Sequence, residues 1–240
     1  MPTIKRILVI QNCQHQNPQN LTQAKNIQML QVVSFMFNPF QENTYLLFDE
    51  TAECAIFDPG CHTAAEQKIL KDYIAENNLK PIRLINTHCH IDHIFGNTFV
   101  ANKYGLGLEI HKNELPLLEA AVYQGKMWGI NVEPSPQPSR FLTETDTIQF
   151  GNTTLEILFT PGHSPASLSF YCPKAKIVIA GDVLFRESIG RTDLPGGNYD
   201  TLIYSIRTKL FTLDDDVIVY SGHGPSTTIG YERLHNPFLQ

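Results

Sequence analysis

Long apolar runs are absent from this 240-residue chain. None approaches the roughly 18 residues that a membrane-spanning helix needs, so no membrane partner is expected. A disulfide framework is absent as well. The five cysteines are odd in number and scattered, without a CxxC pair, which argues against both a stapled scaffold and a zinc ribbon. Positive charge is in short supply. Lys and Arg total 18 against 24 Asp and Glu, for a net charge of -6. Nucleic-acid backbones are gripped by Lys/Arg patches, so no nucleic-acid partner is expected. The opening Met1–Ile10 carries the basic pair Lys5 and Arg6, but its apolar run is too short for a secretory signal. The expected location is cytoplasmic, and no motif points to a protein partner. What is present is a globular composition, 42% hydrophobic and 18% charged, together with nine histidines.

Residues 11–28 are poor in large aliphatics. Ten of these eighteen are Gln or Asn, and only Leu21 and Ile27 are large and aliphatic. Such a stretch cannot bury enough surface to offset its ordering entropy. Residues 1–28 are therefore expected to be a disordered leader or a start assigned too early, with Met29 as the alternative start. An ordered N-terminal arm is the other reading. The leader holds three basic residues and no acid, which leaves -9 for a single catalytic domain over residues 29–240.

Within that domain, strands are expected at 31–37, 44–48 and 54–57, then a helix over 63–78 with Thr63 as its N-cap. A short strand at 82–86 precedes helices at 93–104 and 112–124. The segment 131–140 contains Pro134, Pro136 and Pro138 and reads as a loop. Strands follow at 147–150, 153–159, 167–172 and 176–180, and helices at 198–210 and 226–234 flank a strand at 217–220. Hairpin-like strands that give way to alternating strands and helices indicate mixed sheets layered with helices.

The chemistry concentrates in Thr87-His88-Cys89-His90-Ile91-Asp92-His93, directly after a strand. In an extended chain residues 88, 90 and 92 share one side. His93 breaks that alternation, so the chain is expected to turn there into a helix. Imidazole and carboxylate in this density suit zinc, iron or manganese. Four donors on one hexapeptide do not complete two coordination spheres, so further ligands are expected on other strand ends. His163 in Thr160-Pro-Gly-His-Ser, Asp182 in Ala180-Gly-Asp and His223 in Ser221-Gly-His-Gly-Pro each follow a strand and adjoin a glycine, which permits a sharp turn and close approach.

These motifs, in this order and spacing, resemble the metallo-β-lactamase superfamily over residues 29–240. The resemblance implies an α+β fold, a four-layer αββα sandwich of two mixed β-sheets with metals at one edge. It assigns His88, His90 and His163 to one ion, Asp92, His93 and His223 to a second, and Asp182 as the bridge. The cofactors so implied are two divalent metal ions, with zinc first and iron or manganese as alternatives. True β-lactamases of the family carry Cys or Ser near the Asp182 step, whereas thioester hydrolases carry a bridging Asp. The run from Gly181 to Gly197 and the ending Glu232-Arg-Leu-His-Asn-Pro-Phe-Leu are similar to short bacterial glyoxalase II-like hydrolases. Those resemble hydroxyacylglutathione hydrolase without its C-terminal helical domain. Here 17 residues follow His223, too few for that domain. The implied function is a thioesterase that cleaves S-acylglutathione-type thioesters with a metal-bridging hydroxide, Asp92 and Asp182 acting catalytically on a small-molecule substrate. The alternatives are a mononuclear-iron persulfide dioxygenase, another hydrolase such as a lactonase, and a non-catalytic metal- or partner-binding module. A nuclease is disfavoured by the acidic domain.

Several other residues have two readings. Asp58, in Asp-Pro-Gly, is either a turn residue or a support for a ligand histidine. Arg191 and Asp193 either pair to shape a loop or leave Arg191 free for an anionic substrate. Arg186 and Tyr45 are further substrate-contact candidates. Cys89 is expected to point away from its flanking ligands as a buried thiol. His15, His62, His111 and His235 are expected at the surface or in packing, Met127 and Trp128 in packing beside the pocket, and Phe35, Phe37 and Phe40 in the core.

Overall fold

Apolar side chains alternate along most strands, and the alternation sorts them into separate cores. The computed structural model describes residues 3–8 and 30–240. Its first half runs β1 (Thr3–Leu8), β2 (Gln31–Phe37), β3 (Glu42–Phe48), β4 (Glu53–Phe57), α1 (Ala64–Glu76), β5 (Lys80–Ile85), α2 (Ile91–Ile94), α3 (Asn97–Tyr104), β6 (Leu108–Ile110), α4 (Leu115–Met127) and β7 (Pro138–Phe141). The seven strands form one sheet in the order β1 to β7, antiparallel as far as β4 and parallel from β4 to β7.

The second half runs β8 (Thr147–Phe150), β9 (Thr153–Phe159), β10 (Leu168–Cys172), β11 (Ile177–Gly181), the hairpin β12 (Leu184–Phe185) and β13 (Ser188–Ile189), α5 (Tyr199–Ser205), β14 (Ile218–Ser221), β15 (Thr227–Thr228) and α6 (Ile229–His235). Its six-stranded sheet has the order β15-β14-β11-β10-β9-β8, with β11 and β14 parallel.

Val32, Leu47, Phe57 and Ile85 face Phe150, Ile157, Phe170 and Ile179 between the two sheets. The opposite side chains of the same strands, Val33, Phe35, Leu46 and Ile56, meet Leu70, Ile74, Val100 and Leu118 of the first-half helices. Val178, Ala180 and Val219 meet Leu202, Ile206 and Ile229 on the outer face of the second sheet. Two mixed sheets thus lie between two helical layers.

Most expected elements are found, and the differences have physical causes. Helix α1 begins at Thr63 with a capping box, Thr63 taking the Glu66 amide while the Glu66 side chain returns to Thr63. The helix expected over 93–104 starts earlier and breaks at Gly96, whose amide donates to the Pro59 carbonyl at 2.6 Å. The expected proline loop ends as strand β7, with Pro138 in first position on a sheet edge, where its missing N–H costs no ladder bond. The helix expected over 198–210 is α-helical to Ser205 and continues as a π-turn over Ile206–Leu210.

Within the expected leader, Thr3–Leu8 is a strand. It pairs with β2, Ile4 opposite Phe35 and Leu8 opposite Gln31, and so covers an edge that β2 would otherwise leave open. The Gln/Asn-rich segment 9–28 and Met29 lie outside the described residues. Among the described residues no helix is long and apolar enough to cross a membrane.

Candidate metal centre

Strand direction brings the site together. β4 and β5 are parallel, as are β11 and β14, and β9 runs with β11 because both oppose β10. The segments that follow these strands carry Asp58, residues 88–93, Asp182, His223 and His163, and backbone bonds tie them across the sheets. The Leu168 amide donates to the Thr87 carbonyl at 2.9 Å, Gly222 to Gly181 at 2.8 Å, and Asn43 to Gly222 at 2.7 Å.

His88, His90 and His163 form one cluster, their ligand-type nitrogens within 4.8 Å of one another. His163 Nε2 lies 2.8 Å from His90 Nδ1 and 3.3 Å from His88 Nε2. Asp92, His93 and His223 form a second cluster, while Asp58, His88 and His93, which link the two, also lie within 4.8 Å of one another. His223 Nε2 is 3.1 Å from Asp92 Oδ2. The extended alternation reaches only His90. The helix begins at Ile91, so Asp92 and His93 stand on its first turn and face the second cluster. Asp182 lies between the two. Its Oδ2 is 3.5 Å from both His163 Nε2 and His223 Nε2, and its Oδ1 is 3.5 Å from His93 Nε2. Gly222 makes this closeness possible, because a Cβ there would meet Asp182 Oδ1 at 2.1 Å.

The outer ring nitrogens are held in turn. His163 Nδ1 meets the Arg191 carbonyl at 2.8 Å, and His223 Nδ1 the Phe40 carbonyl at 3.0 Å. His93 Nδ1 lies 3.1 Å from Asp58 Oδ2, and His88 Nδ1 3.0 Å from Thr87 Oγ1. Such contacts fix tautomer and ring direction in metal-binding histidines.

The donor set fits divalent cations. Nitrogens that share one zinc ion at about 2.0–2.1 Å stand roughly 3 Å apart, the spacing seen within the histidine cluster. His93 Nε2 and Asp182 Oδ1 are buried without a hydrogen-bond partner. Burial and neighbouring imidazoles hold His88 well below its ordinary pKa and bring His90 to about 3. Burial also lowers His163. His93 and His223 go the other way, because burial is outweighed by Asp182 and Asp92. Burial opposes charge on Asp182 and Asp92 too, yet His93 keeps both below the ordinary carboxylate value. Ionised carboxylates and the neutral imidazoles favoured at His88, His90 and His163 are the forms that bind metal, and a cation would have to displace the extra proton that the carboxylates favour on His93 and His223.

The remaining sequence candidates divide. Asp58 joins the site: Oδ1 accepts the Thr87 amide at 2.7 Å and Oδ2 the Thr87 hydroxyl at 2.6 Å. Arg191 is locked in a two-pronged pair with Asp193, both bonds 2.7 Å, so it serves the centre through its carbonyl. Arg186 stacks over the Tyr231 ring, 4.8 Å from its centroid. Tyr45 is buried and donates its hydroxyl to the Ser221 carbonyl at 2.7 Å, two residues before His223. It therefore shapes the His223 loop from within the core. Cys89 is buried, as are the other described cysteines Cys54, Cys61 and Cys172. His62 stacks on Phe95 and His111 on Phe159, and His235 lies tilted against Tyr231. His15 lies outside the described residues. Met127 and Trp128 are exposed rather than packed, and Phe40 is 41% exposed while Phe35 and Phe37 are core.

Sequence reasoning missed Asn43, whose Nδ2 donates to the carbonyls of Ser221 and Gly224 at 3.0 and 2.9 Å. It also missed Glu114, buried at the head of α4. Both act on distant segments and carry no local motif.

The metallo-beta-lactamase superfamily model matches residues 37–223. The chain is 43% identical to the probable metallo-hydrolase YqgX of Bacillus subtilis, over 84% of this chain and 93% of that one. It is 38% identical to hydroxyacylglutathione hydrolase GloC of Haemophilus influenzae, over 89% and 98%. Two solved structures, each 36% identical, superpose closely. BLEG-1 B3 metallo-beta-lactamase gives a TM-score of 0.80 over 86% of this chain and 98% of its own. TTHA1623 in a di-iron-bound form gives 0.76 over 85% and 98%. Matched over most of its length by family model, relatives and fold, the chain belongs to the metallo-beta-lactamase superfamily.

Proposed function

We propose that the chain is a metal-dependent thioesterase that cleaves S-acylglutathione-type thioesters. The observation that carries this reading is Asp182, a carboxylate within 3.5 Å of histidines from both clusters. The relative GloC, a hydroxyacylglutathione hydrolase, supports the same substrate class. His88, His90 and His163 would hold one ion and Asp92, His93 and His223 the other, with Asp182 within reach of both sets. When bound, such a pair of ions supplies Lewis acidity and water acidified toward hydroxide near neutral pH.

The chain's own residues do the rest. Asp92 is kept ionised on the more open side of the centre, beside His223, where it accepts a hydrogen bond from an entering water and orients it. The side chains of His223 and Asp92 are 26% and 14% exposed while His88 and His163 are buried, so substrate approaches over the second cluster. Phe185, its ring 6.3 Å from that of His223, and the exposed Phe40 give this approach an apolar wall. Two divalent ions with two ligand aspartates and one hydroxide would leave the centre at about +1, which would favour an anionic thioester despite the acidic chain.

Zinc suits the donors, and the di-iron form of TTHA1623 supports iron as the other candidate. The test is S-lactoylglutathione turnover, read as thiol release, with metal analysis and anomalous scattering. Two ions about 3.5 Å apart and thiol release are expected. Oxygen uptake with glutathione persulfide and one iron per chain would replace the proposal with the dioxygenase, and turnover of a β-lactam or lactone alone would redirect the substrate class.

A further inference from the structure

Glu114 closes the short 3-10 turn Lys112–Glu114 ahead of α4, in a stretch without any metal-ligand motif. Its side chain is buried, and its three partners are all uncharged donors. Oε2 accepts the Cys89 amide at 2.9 Å. Oε1 accepts the Ser164 hydroxyl at 2.7 Å and the Ala166 amide at 2.8 Å. Burial pushes this carboxyl up, while the three donors pull it back. A well-packed apolar side chain would seat α4 at less cost than a buried carboxylate, so stability alone does not account for an acid here.

The location of the partners does. Cys89 lies between His88 and His90, and its amide belongs to the peptide plane that joins it to His88. Holding that plane restrains the backbone at His88 and, through Cys89, the segment that leads to His90. Ser164 directly follows His163, and Ala166 pins the same loop from its far side. One carboxylate therefore grips the segment after β5 of the first sheet and the loop after β9 of the second. These two segments carry all three histidines of one cluster.

We infer that Glu114 is a positioning residue for the His88–His90–His163 metal site, setting the relative placement of its two ligand segments without touching the ion. This rests on the dinuclear reading above. Asp92, His93 and His223 receive no bond from Glu114, so its direct hold is on the two segments that carry His88, His90 and His163.

Glu114→Gln tests the inference. The amide keeps the size but has one acceptor oxygen, and its NH2 must face a donor. Stepwise cobalt(II) titration of metal-free protein, followed by visible absorption, separates the two binding steps. The expected result is about tenfold or greater weakening of one step, with the other unchanged, as for other groups that orient metal ligands. Glu114→Asp, which restores the carboxylate, is expected to recover part of the loss. Glu232→Gln is the control. Glu232 is also buried and accepts three donors, from Glu187, Thr227 and Asn236, none of them adjacent in sequence to a ligand candidate. It is expected to lower thermal stability and leave both cobalt steps unchanged. If Glu114→Gln does not fold, Ser164→Ala removes one of the three donors and is expected to weaken the same step by a smaller factor.

Unchanged cobalt binding in folded Glu114→Gln, or equal losses in Glu114→Gln and Glu232→Gln, would overturn the inference while leaving the dinuclear reading intact. Wild-type protein that takes up no cobalt would overturn both.

Discussion

Asp58 and His93 form a buried pair, Oδ2 standing 3.1 Å from Nδ1, which couples the end of β4 to the second ligand cluster. The same carboxylate takes both the amide and the hydroxyl of Thr87, the residue before His88. Asp58→Ala should therefore disturb both clusters. Metal affinity is expected to fall about 10- to 100-fold, as read by competition with a chromophoric chelator. Asp58→Asn, which keeps one acceptor oxygen, should lose less. Wild-type affinity in the alanine variant would reduce Asp58 to a turn residue.

Asp182 lies within reach of both clusters, so its loss should cost more than one site. Asp182→Ala is expected to retain at most one tightly held ion per chain and to lose thioester turnover by on the order of a hundredfold or more. Chelation of the wild-type protein should do the same, with recovery on adding zinc or iron. Metal content by mass spectrometry and thiol release are the two measurements, and near wild-type rates in either case would end the proposed mechanism.

Arg191 offers a sharper contrast. Its guanidinium is bound to Asp193 on an exposed loop, while its carbonyl holds His163. Substitution of the side chain leaves the carbonyl in place. Arg191→Ala should keep metal content and change KM for an anionic thioester by no more than about threefold, since exposed pairs of this kind contribute little. A KM rise of tenfold with unchanged kcat would show that the arginine leaves Asp193 to meet substrate.

Asp49 links the two sheets at a distance from the site. Its carboxylate takes the Thr51 amide and hydroxyl from its own turn, and the Asn152 amide and Thr153 hydroxyl from the turn before β9. Burial opposes its charge, but these bonds, led by those of Thr51, outweigh it and lower its pKa below 3.8. A lowered carboxylate stabilises the fold fully above its unfolded value. That stabilisation is withdrawn as pH falls through the lower folded value. Asp49→Ala is expected to cost about 1–3 kcal/mol at neutral pH. Its deficit against wild type should shrink in strong acid, where the native carboxyl is also protonated. Urea denaturation at pH 7 and below pH 3 checks both statements.

The seven ligand candidates could be named from the sequence because each lies in a short motif at the end of a strand. The strands themselves were legible from alternation, as in β2, where Val33, Phe35 and Phe37 face the helices. The rest depends on contacts between distant segments. Nothing near Asn43 announces that it will reach Ser221, and nothing near Glu114 announces Cys89 or Ser164. Gly96 breaks a helix that its own neighbours favour, because a Cβ there would meet Cys61 Sγ at 2.4 Å. Tyr45 and Arg186 were attractive as substrate contacts by residue type, and burial of one and stacking of the other decided against a free side chain.

The division of the ligands between the two sheets has a consequence for how the molecule is made. A chain that has folded only its first half presents the donors of residues 88–93 and Asp58, and none of His163, Asp182 or His223. The second half supplies those three only after β9, β11 and β14 have formed and docked. On the dinuclear reading, neither ion would reach full coordination before that docking, which joins contacts of long sequence separation and is the slow kind of folding step. Tight metal capture would thereby be reserved for the completed molecule. It would work as a checkpoint on assembly, with the ions locking the two halves together once they have met.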